Sequence, residues 1–162
     1  VPPRIALYPG SFDPPTHGHL SIIQRGLRIF DGLIVAVLRN PAKDALFTVE
    51  ERVALMREAL KDDPRVQVKT FGGLLVKFAE QEKITTILRG LRAVSDFEYE
   101  FQMANMNRKL DKTVETLFMM TGEDYFYISS RFVRDAARLG GDMAGLVPPN
   151  VLEALAKRFP RT

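Results

Sequence analysis

The run Leu33-Ile34-Val35-Ala36-Val37-Leu38 constrains this chain more than any other stretch. A strand with one wet face alternates apolar and polar side chains. Six apolar residues in succession describe a strand covered on both faces. Shorter strand candidates stand at Arg4–Tyr8, Val66–Val68, Thr86–Leu88 and Glu115–Met119. Helical patterns separate them. Leu20, Ile23, Leu27 and Phe30 form one apolar stripe. Thr48-Val49-Glu50-Glu51 reads as a capping box, followed by a stripe at Val49, Val53, Met56 and Leu60. Further helices are predicted over Leu74–Gln81, from a second capping box at Ser95-Asp96-Phe97-Glu98 to Lys109, and from a Ser130 cap to Gly140-Gly141. A last helix follows Pro148-Pro149 and runs to Arg158. This alternation predicts an α/β fold. Its form is a Rossmann-like, doubly wound, five-stranded parallel sheet with helices on both faces and further helices at the C-terminal end.

The chain has 162 residues, which predicts a single domain over 1–162 with one sizeable core. It is 46% hydrophobic and 27% charged, the balance of a soluble globular protein. No apolar run approaches the ~18 residues of a membrane span, and the N-terminus has no secretory pattern. The absence of cysteine excludes disulfides, thiolate catalysis and cysteine-ligated zinc. A cytoplasmic location is the expectation, with no membrane partner. The net charge of +3 comes from scattered basic residues with no Lys/Arg-rich tract, so no nucleic-acid partner is expected. Small anionic ligands explain the arginines equally well.

In a sheet of this kind ligands bind beyond the carboxyl ends of the strands. The polar and glycine-rich segments all follow strand candidates: Ser11 to His19, Asn40 to Lys43, Gly72-Gly73, Arg89 to Arg92, and Tyr125 to Arg131. In Thr16-His17-Gly18-His19 a Gly/Pro turn runs into a helix start. Free N–H groups and the positive end of the helix dipole suit a phosphate there. An imidazole adds a donor that follows charge as it develops. His17 and His19 are two apart, off a common helix face, so they make no metal pair. His19 is the functional candidate and His17 a bystander. Ser11 is either a turn residue or a phosphate donor, and no G-x-S-x-G frame surrounds it. Lys43 is either a solvated loop lysine or a partner of a phosphoryl group. Arg89 and Arg92 either clamp two phosphates, or cap a helix or pair with Glu98 and Glu100. Gly90 between them permits close backbone approach. There is no P-loop and no G-x-G-x-x-G.

Taken together these residues resemble the phosphopantetheine adenylyltransferases, within the T/H-x-G-H nucleotidyltransferase superfamily. The similarity extends from Tyr8-Pro9-Gly10-Ser11-Phe12-Asp13-Pro14 to Val147-Pro148-Pro149-Asn150. The most specific stretch is Arg89-Gly90-Leu91-Arg92-Ala93-Val94-Ser95-Asp96-Phe97-Glu98-Tyr99-Glu100. Phe47-Thr48-Val49-Glu50-Glu51-Arg52 and Ile128-Ser129-Ser130 also match. The resemblance implies transfer of the adenylyl group of ATP to 4′-phosphopantetheine, giving dephospho-coenzyme A. It implies His19, Lys43 and Arg92 as catalytic. It implies ATP contacts from Ser11, Phe12, His19, Gly90, Leu91, Arg92, Glu100, Tyr125, Phe126, Tyr127, Ile128, Ser129, Ser130 and Arg131. Phosphopantetheine contacts would come from Ser11, Lys43, Leu75 and Arg89. Magnesium would arrive with ATP, with no metal ligand set in the protein. A homohexamer and feedback inhibition by coenzyme A are implied by the family alone.

The chain departs from the family pattern at several places. Ser11 stands where threonine is common, His17 where asparagine is, and Asp135 where glutamate is often found. Arg131 replaces a serine or threonine. It either tightens nucleotide binding or points outward. Met120-Thr121-Gly122-Glu123-Asp124 is unusual before the nucleotide loop. The alternatives are another small-molecule nucleotidyltransferase, such as a nicotinate-nucleotide adenylyltransferase or a cytidylyltransferase, and a non-catalytic nucleotide- or coenzyme A-binding regulator.

Overall fold

The computed structural model describes residues 1–39 and 44–160. Five strands alternate with helices: β1 (Ile5–Gly10), α1 (His17–Gly26), β2 (Gly32–Leu38), α2 (Val49–Ala59), β3 (Val66–Phe71), α3 (Leu75–Glu82), β4 (Thr86–Leu91), α4 (Val94–Leu110) and β5 (Glu115–Met120). Two helices, α5 (Ser130–Arg138) and α6 (Pro149–Arg158), complete the chain. The strand order is β3-β2-β1-β4-β5, and every pairing is parallel.

The sheet is covered on both faces, as the apolar run in β2 requires. Leu33, Val35 and Val37 face Ile22 and Ile23 of α1 and Met56 of α2, together with Ala6 and Tyr8 of β1. Ile34 and Ala36 face the other way, with Leu7, toward Val76, Phe78 and Ala79 of α3. The period of two along one strand thus feeds two separate cores. A third cluster joins α5 and α6 to Phe47 and Ile128. It is tied to α2 where Asn150 donates to the Leu55 carbonyl at 3.0 Å.

Order reverses between β1 and β4, and there the pairing is thin. Leu7↔Ile87 is the one register pair between them, against six between β1 and β2. The reason is local: Pro9 has no N–H to give to a ladder. The two strands part beyond Leu7, and the opening lies at their carboxyl ends.

Strand ends run further than expected. β1 includes Pro9 and Gly10, β3 continues to Phe71, and β4 continues through Arg89, Gly90 and Leu91. The arginine motif therefore starts inside β4 rather than after it, with Arg92 just beyond. Gly90 permits close approach, as expected, but of a core side chain: a Cβ there would lie 3.1 Å from Ile22 of α1. Two helix starts also differ. Ala93 caps α4 without a side-chain bond, so Ser95-Asp96-Phe97-Glu98 is no capping box. The Asp96 carboxylate instead accepts from Arg92. Ser129, not Ser130, caps α5 by accepting from the Phe132 N–H. The Thr48–Glu51 box forms as expected. α1 stops at Gly26, so Leu27 and Phe30 extend its stripe through the turn beyond it.

Met56 is fully buried where α2 meets the sheet. Met56→Ala is expected to destabilise the fold by about 2–5 kcal/mol, through lost burial and a residual cavity. Denaturant unfolding that shows less than about 1 kcal/mol would mean that α2 packs loosely on the sheet.

Candidate active site

Thr16 caps α1, and its hydroxyl accepts from the His19 N–H at 3.4 Å. His19 reaches back, so that its Nδ1 accepts from the Thr16 N–H at 3.0 Å. This is a capping box in which an imidazole stands where glutamate usually does. Gly18 allows it, because a Cβ there would press on the Thr16 hydroxyl at 3.3 Å. A backbone N–H can only donate, so Nδ1 is bare and the ring proton sits on Nε2. Burial, then Arg92 and Arg89, push the His19 pKa down to about 3. The ring is a neutral donor. Phe12 braces it edge-on, with centroids 4.9 Å apart. Phe12 is itself buried and held at φ 49°, a conformation that costs a bulky residue about 1–3 kcal/mol.

Arg89 fills the gap between β1 and β4. Its Nη1 donates to the Pro9 carbonyl, and its Nε donates to Glu100 at 2.8 Å within a two-point ion pair. Burial would lower the Arg89 pKa, but the Glu100 carboxylate outweighs it and the net shift is upward. Arg92 grips Asp96 through Nε at 3.0 Å and donates to the Ile128 carbonyl at 3.2 Å. Both arginines thus have carboxylate partners, though Arg92 pairs with Asp96 rather than with Glu98.

These groups line a cleft of about 340 Å³. On its walls are Ser11, Phe12, His19, Arg89, Gly90, Arg92, Glu100, Tyr125, Ile128, Ser129, Ser130 and Arg131. The amino-terminal ends of α1 and α5 both reach it, an arrangement that suits anions. The Ser130 hydroxyl donates to the Pro14 carbonyl at 2.8 Å, joining the two ends. Arg131 is exposed, and its guanidinium lies 4.0 Å from Asp135. Leu91, Phe126 and Tyr127 are not on the cleft wall. Phe126 and Tyr127 pack edge-to-face on each other and are exposed. Lys43 lies outside the described residues. His17 donates its N–H to the Leu146 carbonyl at 2.9 Å.

A second cavity, of about 400 Å³, opens beside the first on the α3–α4 side of the sheet. Leu75 lines it, with Tyr99, Met103 and Asn107 from α4. Pro9, Gly10, Ser11, Arg89 and Glu100 border both cavities. Sequence reasoning missed the α4 wall. Its signal was present as helical spacing, since Tyr99, Met103 and Asn107 recur every four residues. Thr16 and Asp96 were quoted without a role, and their contacts assign one.

Residues 7–136 match the cytidylyltransferase-like family model. The chain is 62% identical over 158 residues to a protein of Anaeromyxobacter dehalogenans named phosphopantetheine adenylyltransferase, covering 98% of this chain and 96% of that one. The chain belongs to the phosphopantetheine adenylyltransferase family. A relative of the same name in Geobacter sulfurreducens is 57% identical, covering 98% of this chain and 97% of its own. Another, in Desulfosudis oleivorans, is 52% identical over 96% of this chain and 93% of its own. The family resemblance read from Arg89 to Glu100 is thereby established, and with it the nucleotidyltransferase class of the chain.

The His19 geometry has a direct spectroscopic consequence. In ¹⁵N-labelled protein, Nδ1 is expected to resonate as a bare nitrogen and Nε2 as a protonated one, unchanged from about pH 8 to pH 5, because the folded pKa lies far below the ordinary 6.5. A transition of either nitrogen near pH 6.5 would contradict the locked neutral ring.

Proposed function

We propose that this chain transfers the adenylyl group of ATP to 4′-phosphopantetheine, giving dephospho-coenzyme A and pyrophosphate in coenzyme A biosynthesis. The observation that carries the reading is the shared wall of Ser11, Arg89 and Glu100 between two cavities. One cavity is polar and set between helix amino termini. The other has the apolar α4 wall that an extended pantetheine arm needs. A reaction between two bound substrates requires such adjacency.

In this reading ATP takes the first cleft. Ser11, the Phe12 backbone, Gly90, Arg92, Glu100 and the Tyr125–Arg131 segment hold it, with Leu91, Phe126 and Tyr127 contributing only from outside the wall as it stands. Phosphopantetheine takes the second cavity, with Ser11, Leu75 and Arg89, and Lys43 from outside the described residues. An oxygen of the acceptor phosphate forms a bond to the α-phosphorus, and the bond to the pyrophosphate oxygen breaks. The nucleophile is already an anion and the leaving group is stable, so no general base is required. His19 donates from Nε2 to charge building on the transferring phosphoryl group. Its neutrality matters, because a neutral donor gives no proton away at physiological pH. Arg92 adds positive charge at the same centre, and the family resemblance assigns a like role to Lys43, which lies outside the described residues.

Magnesium would neutralise the polyphosphate. The donor set fits an ion carried by phosphates and water: Asp96 and Glu100 are occupied by arginines, and among the described residues no acid–histidine cluster offers a metal cage. A homohexamer is the proposed assembly. Its support is the set of large apolar side chains left exposed on α4 and β5, among them Phe97, Phe101, Met106, Leu110, Leu117 and Met120. Coenzyme A contains the adenylyl and pantetheine parts of the product, so it would span both cavities as an inhibitor. A cytoplasmic location is proposed, where ATP is supplied. Among the described residues no helix is long and apolar enough to cross a membrane.

Product analysis by mass spectrometry tests the reading, with ATP, magnesium and either 4′-phosphopantetheine or nicotinate mononucleotide. Dephospho-coenzyme A from the first mixture alone is expected. His19→Ala is expected to lower its kcat about 10²–10³-fold while leaving ATP affinity within a few fold. Product from the nicotinate mixture alone, or ATP bound without turnover, would overturn the assignment.

A further inference from the structure

Arg52 of α2 is 1% exposed and heads the fully buried side chains of the described residues by size. No carboxylate there accepts a hydrogen bond from it. Its Nε donates to the Phe47 carbonyl at 3.2 Å, and its Nη1 donates to the Ser11 carbonyl at 2.7 Å and the Leu38 carbonyl at 2.8 Å. Burying a guanidinium costs several kcal/mol, and a packed apolar side chain would avoid that cost. What the cation gains is the grip on three carbonyls that no ladder uses: one just past β1, one closing β2, one leading into α2.

The Ser11 carbonyl is the telling one. Ser11 borders both cavities. In a trans peptide the C=O and the following N–H point in opposite directions. Pulling the Ser11 oxygen toward α2 therefore turns the Phe12 N–H away from α2, and Phe12 then takes its strained φ of 49°. A second anchor acts just after Phe12 in the chain. The Asp13 carboxylate accepts from the Leu46 and Phe47 N–H groups at 2.8 and 2.9 Å, and Arg134 of α5 donates to the Asp13 carbonyl. Arg52 and Asp13 together hold the strained turn from both ends.

We propose that Arg52 is a positioning residue for adenylyl transfer: its fork fixes the Ser11 carbonyl and so aims the Ser11 hydroxyl at the wall where the two substrates meet. The proposal rests on the function given above. Lysine keeps the charge but lacks the planar fork and cannot reproduce the geometry.

The test is a double-mutant cycle on the full chain with Arg52→Lys and Ser11→Ala, read as kcat and ATP KM. Thermal unfolding confirms that each protein is folded. Arg52→Lys is expected to lower kcat about 10–100-fold, with ATP KM within about threefold, since misplacement acts on the transition state. In the Ser11→Ala background the same substitution is expected to cost at least about threefold less, because its target is gone. An Arg52→Lys protein with kcat within about twofold of the parent, or an equal cost in both backgrounds, would overturn the proposal. If Arg52→Lys does not fold, Arg52→Gln replaces it in the cycle. Failure of both to fold assigns Arg52 to folding alone and also overturns it. Absence of product from the parent is visible in the control and counts against the functional reading beneath.

Discussion

The site depends on the parting of β1 and β4. A parallel sheet closes its ladders wherever both strands offer N–H and C=O groups. Pro9 withholds one, and the pairing between these strands is reduced to Leu7 and Ile87. Arg89 occupies the resulting opening and takes the Pro9 carbonyl as its acceptor. Glu100 of α4 then balances a cation that would otherwise be stranded in a partly buried gap. One missing N–H thus leads to a strand divergence, an arginine in the breach, and a carboxylate brought in from the next helix. Two cavities share that breach.

Around it the chemistry is arranged with fixed donors rather than with groups that change charge. His19 is neutral because it is buried beside two arginines, and its proton is placed by a backbone N–H on the opposite nitrogen. Arg89 and Arg92 carry charge tempered by Glu100 and Asp96. Such a site does not bind anions by raw charge alone. It offers preorganised dipoles to negative charge as it redistributes, which suits transfer between two phosphates.

Much of the fold was legible because it depends on local rules. The apolar run of β2, the Thr48 capping box and Pro149 at the head of α6 form their elements as the pattern implies. The failures are of another kind. Ser95-Asp96-Phe97-Glu98 has the form of a capping box, but Asp96 is drawn to Arg92, a competition that motif spacing does not reveal. The Thr16–His19 box was overlooked because imidazole is an unusual partner in that motif. The site arginines were legible as cations at a strand end, and Glu100 was legible as a partner, but the pairing of Arg92 with Asp96 in place of Glu98 was not. Arg89 meets Glu100 eleven residues on, through a strand–helix crossing. Arg52 stands among the charged residues of α2 with nothing in its neighbours to mark it as buried. Lys43 falls outside the described residues.

The central claim is that both substrates react directly across the wall of Ser11, Arg89 and Glu100, with no covalent adenylyl-enzyme. The stereochemical course at the α-phosphorus tests it most directly. ATP made chiral by sulfur at that phosphorus would be turned over with 4′-phosphopantetheine, and the configuration of the thio-product determined. A single in-line displacement inverts the centre, and inversion is the result expected here. Retention would require two successive displacements through a group on the protein, and would contradict the account.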